Sequence, residues 1–206
     1  MVSQYAVSFS RGNDKMGAIP SLSLPPIITC SPIACRTCGK KCYARRMYAR
    51  RKNVKNSYDR NLEILLNDKK SFWMQVDLYI KACRFFRFGV SGDIYDYDYL
   101  KNMVKVAKNN EHCEMLCFTK KYDLCNKYIK KNGDFPKNLH VIYSGWVGLT
   151  VDNPYNLPEA HVLLKNGQTT AKDGARYCSG SCYECAVSGC NCWSIGKGEQ
   201  LIFREH

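Results

Sequence analysis

The chain has 206 residues, 45% of them apolar by an inclusive count, enough for one ordinary domain with its own core. Lys and Arg number 31 against 18 acidic residues, and the formal charge of +13 favours polyanions, nucleic acid first, as partners or surroundings. The opening MVSQYAVSFSRG has no apolar h-region and no window approaches about eighteen apolar residues, so neither a secretory leader nor a membrane span is expected and the cytoplasm is the expected compartment.

In chain order, YAVSF (5–9) reads as a short strand, RGNDKMG (11–17) as a turn, and IPSLSLPPIITC (19–30) as a proline-interrupted extended segment. Apolar residues at 43, 47, 54, 58, 62 and 65 predict a helix from Tyr43 to about Leu66, and a second follows over 70–83. FFRFGV (85–90) is a strand running into SGD (91–93), and 99–110 a helix. EMLCFTK (114–120) is the next strand, 121–133 a helix stopped by Gly133, LHVIYSGW (139–146) a strand, and HVLLK (161–165) another. Residues 166–206 read as a Gly- and Cys-rich tail with little periodicity.

Strands alternating with helices imply a single α/β domain over 1–206, with a mostly parallel sheet and flanking helices. The clear strands are too few for a full eight-stranded barrel, so a partial barrel or an open sheet is expected. Cys-rich segments near both ends, 30–42 and 178–192, are expected to bind metal.

Thirteen cysteines in a reducing compartment point to metal binding or redox chemistry, and an odd number cannot all pair as disulfides within the chain. Cys30, Cys35, Cys38 and Cys42 are spaced closely enough to wrap one centre without long-range folding. Cys178, Cys182, Cys185, Cys190 and Cys192 form a second group. Zinc sites commonly pair two C-x2-C knuckles across a longer loop. Each group here has only one knuckle, Cys35–Cys38 and Cys182–Cys185, and the tighter spacing resembles runs that hold [4Fe–4S] clusters. One or two such clusters are expected, with zinc as the alternative. Cys178-x3-Cys182-x2-Cys185 also has the spacing of radical S-adenosylmethionine enzymes, but only 21 residues follow it, too few for a barrel. Nine candidate ligands exceed two four-thiolate sites by one, with Cys190 and Cys192 the ambiguous pair, and the two groups could also share one centre. Cys83, Cys113, Cys117 and Cys125 have apolar neighbours and read as small core residues.

Ten basic residues lie between Arg36 and Arg60, with Asp59 the only acid. Arg45, Arg46, Arg50, Arg51, Lys52, Lys55 and Arg60, interleaved with Tyr43, Tyr48 and Tyr58, are candidate contacts to RNA or a single strand. In parallel sheets function gathers on loops leaving the strand C-terminal ends. Asp93, Lys120 and Ser144 take those places and are the candidate catalytic residues of an expected pocket. The histidines at 112, 140, 161 and 206 are scattered and read as structural or exposed.

KMG (Lys15–Gly17), SLPP (23–26) leading into Thr29–Cys30, and C-x3-CYA (Cys38–Ala44) occur in that order. An arginine ahead of SGD (Arg87 to Asp93), the Phe118–Lys120 strand end, and a late cluster closing on Cys192–Trp193 follow. Together they resemble a phage-encoded family, the gene-product-88-like proteins, over nearly the whole chain. The resemblance implies a phage or prophage origin, hence a host-cell cytoplasm. It also implies a cysteine-bound iron–sulfur or metal centre near a sheet edge and a distant likeness to radical-type partial barrels. It implies no activity, and the C-x4-C-x-C ending of the late cluster leaves its ligands unmatched. Three functions follow: a metalloprotein acting with nucleic acid or a host protein, a radical or redox iron–sulfur enzyme, and a structural or inhibitor protein with two closed zinc sites.

Overall fold

A computed structural model describes residues 6–205. Eight strands form one sheet: β1 (Phe9–Ser10), β2 (Ser21–Leu22), β3 (Phe85–Phe88), β4 (Glu114–Thr119), β5 (Leu139–Ser144), β6 (Glu159–Leu163), β7 (Arg176–Tyr177) and β8 (Gln200–Arg204). Their order is β1-β2-β3-β4-β5-β6-β8-β7. β1 runs antiparallel to β2 and every other neighbouring pair is parallel. The ends β1 and β7 do not meet, so the sheet is open rather than a barrel.

The helices are α1 (Pro32–Cys38), α2 (Tyr43–Arg50), α3 (Lys52–Asn67), α4 (Lys69–Ile80), α5 (Tyr97–Asn109), α6 (Tyr122–Asn132) and α7 (Cys182–Ser188). From β2 to β6 the strands lie side by side in chain order, and right-handed crossovers then put each connecting helix on the same face. Side chains sort accordingly. Phe86, Phe88, Met115, Cys117, Val141 and Tyr143 face α3–α6 and pack with Ile64, Phe72, Leu100, Met103 and Tyr128. The alternate residues Phe85, Leu116 and Ile142 face the other way. There they meet Met16 and Ile19 from the N-terminal segment, and Cys185, Ala186, Cys192, Trp193 and Ile195 from the C-terminal one.

The expected α/β class, parallel sheet and flanking helices are observed, with β3, β4, β5 and α4–α6 close to their predicted spans. Gly133 ends α6 at φ +79°, ψ −165°, a positive-φ backbone that glycine adopts without steric cost. Cys83, Cys113, Cys117 and Cys125 are buried. Four expectations need correction. The strand over 5–9 pairs only at Phe9–Ser10, and Tyr5 lies outside the described residues. The extended segment at 19–30 supplies β2, whose pairing with β3 was not foreseen. The helix over 43–66 breaks at Arg51 (φ −116°, ψ 103°), and α2 folds back on α3, where Tyr48 and Tyr58 stack at 6.4 Å and the Tyr48 hydroxyl donates to Asp59.

The fourth correction is the largest. The tail over 166–206 contains β7, α7 and β8, and β8 pairs with β6 over five residues. QLIFR is too short to reveal a period, so its partner β6 decides its state. Leu201 is fully buried between the sheet and α7. Leu201→Ala is expected to cost about 2–5 kcal/mol, read as a lower urea midpoint at unchanged m-value. A change under about 0.5 kcal/mol would mark β8 as peripheral.

Candidate metal centre and strand-end site

The C-terminal ends of β3, β4 and β5 meet in one hydrogen-bonded group. Asp93 Oδ1 accepts from Thr119 Oγ1 (2.5 Å) and the Ile94 N–H (2.8 Å), and Oδ2 accepts from the Lys120 N–H (2.9 Å). Lys120 Nζ donates to Ser144 Oγ at 2.8 Å. Burial pushes the Asp93 carboxyl above the ordinary range, against the Thr119 hydroxyl, two backbone N–H groups and the Lys120 charge. The structure thus brings Asp93, Lys120 and Ser144 together, although they bond to one another instead of bordering a wide pocket. Below Asp93 lies a void of about 10 Å3, room for one water, and the buried Ser91 Oγ on its wall has no partner. A larger cleft of about 530 Å3, lined by Tyr79, Arg84 and Tyr183, sits at the opposite strand ends and includes none of the expected catalytic residues.

The early thiols lie over the same edge. Thr29 Oγ1 donates to the Pro25 carbonyl (2.8 Å) and accepts the Asp93 N–H (3.2 Å), which holds the chain before Cys30 against the SGD turn. Gly92 makes this approach possible: at φ +76° a Cβ would lie 2.5 Å from Thr29 Oγ1 and 2.8 Å from the Leu24 carbonyl. Pro32 starts α1 and Cys38 ends it, after which a 3-10 turn leads to Cys42, the N-cap of α2. Cys42 Sγ accepts the Arg45 N–H at 3.4 Å, and Cys38 Sγ donates to the Ala34 carbonyl at 3.1 Å. The Cys30 thiol is pushed up to about 12 by burial and by the Asp93 charge, with Cys35 and Cys42 adding to it. Burial also raises Cys38, with the Lys120 charge opposing. Cys30 and Cys38 thus each lie within electrostatic reach of Cys35 and Cys42, with Asp93 near Cys30 and Lys120 near Cys38.

The late thiols sit on the sheet face away from α3–α6. The Cys178 N–H continues the ladder of β7 to the Ile202 carbonyl (2.8 Å), and Ser181 caps α7 by accepting the Glu184 N–H. The KMG segment forms the seat: the Cys182 N–H donates to the Lys15 carbonyl at 3.0 Å, and a Cβ on Gly17 would strike Tyr183 Cβ at 2.6 Å. Cys185 Sγ lies 3.0 Å from Ser179 Oγ and 3.2 Å from Asn191 Nδ2. Arg87 reaches into this face from β3, its Nη1 3.9 Å from Cys182 Sγ and its guanidinium 4.8 Å from the centre of the Phe118 ring. Arg87 Nε and Trp193 Nε1 are buried donors without a partner.

All thirteen thiols are free. Among the described residues no group of three or more His, Cys, Asp or Glu side chains has the spacing to hold a single metal ion. A cluster of several irons and sulfides holds its thiolates farther apart than one ion does, so thiols gathered more loosely still fit it chemically.

A protein family described as Gene product 88 matches residues 7–148. The chain belongs to that family. Neither curated proteins nor solved structures yield a match. The Gene product 88 span includes the KMG segment, the early thiols, the basic helices and the strand-end group, and stops before the late thiols. The match is thus narrower than the nearly whole-chain resemblance of the motifs.

Within that span, Arg45, Arg46, Arg50, Arg51, Lys52, Lys55 and Arg60 on α2, α3 and their junction are all exposed. Lys55 is bound to Asp59 at 2.5 Å. Tyr48 and Tyr58 are committed to the α2–α3 seam, and Tyr43 is 54% exposed. Of the histidines, His161 is buried between Glu159 and Thr170, His140 meets Glu114 and His112 the Lys81 carbonyl, while His206 lies outside the described residues. No helix among the described residues is long and apolar enough to cross a membrane.

Arg87, Phe118 and the KMG seat were not expected as neighbours of the late thiols. Their alternation with core residues on β3 and β4 is the signal, but it names a face and not its occupant. Gly92→Ala is expected to destabilise by about 1–3 kcal/mol in chemical denaturation, because its new methyl meets backbone. Gly89→Ala, at φ +66° with no atom within 4 Å of the added Cβ, is the control and should cost only about 1 kcal/mol.

Proposed function

We propose that the chain is a phage-encoded metalloprotein of the host cytoplasm that carries iron–sulfur clusters of the [4Fe–4S] type and acts on or near nucleic acid. The observation that carries this reading is the double role of Cys42, last of the early thiols and N-cap of the first basic helix. A centre on Cys30, Cys35, Cys38 and Cys42 would sit where the exposed arginines begin. Four thiolates around such a centre leave it anionic, so nearby cations offset part of its charge. That need does not extend along α3. Lys41 is engaged by Glu205 at 3.1 Å, and Arg45, Arg50, Arg51, Lys52 and Arg60 have no ion-pair partner among the described residues. So many like charges on a solvated surface suit a phosphate backbone.

A second reading, a radical or redox enzyme, is favoured by the strand-end group. Lys120 and Ser144 form a buried-side polar pair beside Cys38, and Asp93 lies beside Cys30. These residues would orient a polar substrate and hold its protons, while the cluster would supply electrons.

Anaerobic purification is expected to give a brown protein with broad visible absorption and comparable iron and acid-labile sulfide. A colourless chain holding zinc alone would reject both readings and leave the closed zinc sites. A change in the paramagnetic resonance signal on adding S-adenosylmethionine would favour the enzyme. For nucleic acid, binding to single-stranded RNA should weaken with salt. Replacing Arg45, Arg46, Arg50 and Arg51 together should flatten the log–log slope by up to about 3, at roughly 0.7 per lost phosphate contact. An unchanged slope would remove the basic helices from the interface.

A further inference from the structure

Arg87 sits in the middle of β3, and strand alternation sends its side chain to the face that α7 covers. Arg87 is half-buried with its Nε fully covered, and withdrawing part of a guanidinium from water is costly unless an anion meets it. Among the described residues no carboxylate lies within ion-pair distance of Arg87. Its contacts are the Phe118 ring and the Cys182 sulfur, and its buried Nε meets no acceptor. A neutral thiol is a weak acceptor, and an aromatic face replaces only part of the lost hydration. The arrangement is that of a cation awaiting a centred negative charge.

The thiols around it are not equivalent. Cys192 lies within electrostatic reach of Cys178, Cys182 and Cys185, and the Arg87 charge reaches both Cys182 and Cys192. Among the thiols Cys190 interacts with Cys185, the Arg176 charge also reaches it, and its N–H donates to the Cys185 carbonyl at 2.9 Å. Cys192 is buried in the sheet-face cluster, whereas Cys190 is half-exposed and packs at the margin of that cluster.

We propose that Cys178, Cys182, Cys185 and Cys192 hold an iron–sulfur cluster against this sheet face, that Arg87 is its counter-cation, and that Cys190 lies outside the ligand set. The proposal rests on the iron–sulfur reading above and adds a site beyond the Gene product 88 span. A fixed positive charge beside the cluster stabilises its more negative, reduced state. Removing it disfavours reduction, and restoring a charge at that position recovers part of the effect.

The test uses the full chain, reconstituted anaerobically with ferrous iron and sulfide. Cys192→Ser should lose the iron and sulfide of one cluster, while Cys190→Ser keeps the wild-type content. In the Cys35→Ser/Cys38→Ser chain, where the late centre is read alone, Arg87→Met should lower the reduction equilibrium constant about tenfold, or ~59 mV for one electron. Arg87→Lys should restore part of that shift. Equal losses in Cys190→Ser and Cys192→Ser would overturn the ligand set, and an unchanged potential in Arg87→Met would overturn the counter-cation. Should Arg87→Met not fold, the partial shift in Arg87→Lys decides the second point. A wild-type chain that takes up no iron and sulfide would instead overturn the iron–sulfur reading itself.

Discussion

The order of the parallel strands governs the rest of the molecule. A sheet whose strands follow chain order sends each right-handed crossover to one face, and here α3–α6 cover that face completely enough to bury Phe72, Phe86, Leu100 and Met103. The other face receives no crossover helix. Its residues are as apolar as their neighbours, with Leu116, Ile142 and Leu201 fully buried, and each such side chain stabilises the fold by about 1.5–3 kcal/mol only if something covers it. The cover is the Cys-rich C-terminal segment together with Met16 and Ile19, so the elements bearing the late thiols are also structural.

The same order explains the strand-end group. Parallel neighbours end on the same edge, so Asp93, Thr119, Lys120 and Ser144 arrive from three consecutive strands within hydrogen-bond reach. Asp93 uses both oxygens to tie these ends together, and Thr29 links it to the loop of the early thiols. A carboxylate this buried is held by three donors, one hydroxyl and two backbone N–H groups, which makes it the joint between the sheet and the early cysteine loop. Gly92 belongs to the same joint, since only a residue without Cβ lets Thr29 come so close.

How much of this was legible in the sequence depended on length and on partners. The strands β3–β5 and helices α4–α6 are long enough to show a period, and the convergence of SGD, Thr119–Lys120 and Ser144 follows once the sheet is parallel. β2 and β7 have two residues each and β8 five, so their state comes from their neighbours. The break at Arg51 leaves the 3.6-residue period almost intact and is set by the Tyr48–Asp59 and Tyr48–Tyr58 contacts. Spacing alone left Cys190 and Cys192 equivalent. They differ only in three dimensions, where Cys192 is buried on the sheet face and Cys190 is half-exposed at its margin.

The family span ends at Gly148, yet its motifs prepare a place for what comes after. Gly17 makes room for Tyr183, the Lys15 carbonyl receives the Cys182 N–H, and Met16 packs beneath α7. A chain limited to 7–148 would expose Met16, Ile19, Leu116 and Ile142 to water on one contiguous surface, since their partners Ala160, Cys185, Trp193 and Leu201 all follow it. Exposed apolar surface of that kind calls for a cover. The position of Arg87 adds a second demand, because an apolar cover alone would leave its charge without a counter-ion. The C-terminal segment is apolar where it meets Leu116 and Ile142, which answers the first demand, and the thiols it brings to Arg87 would answer the second only as ligands of the proposed anionic cluster.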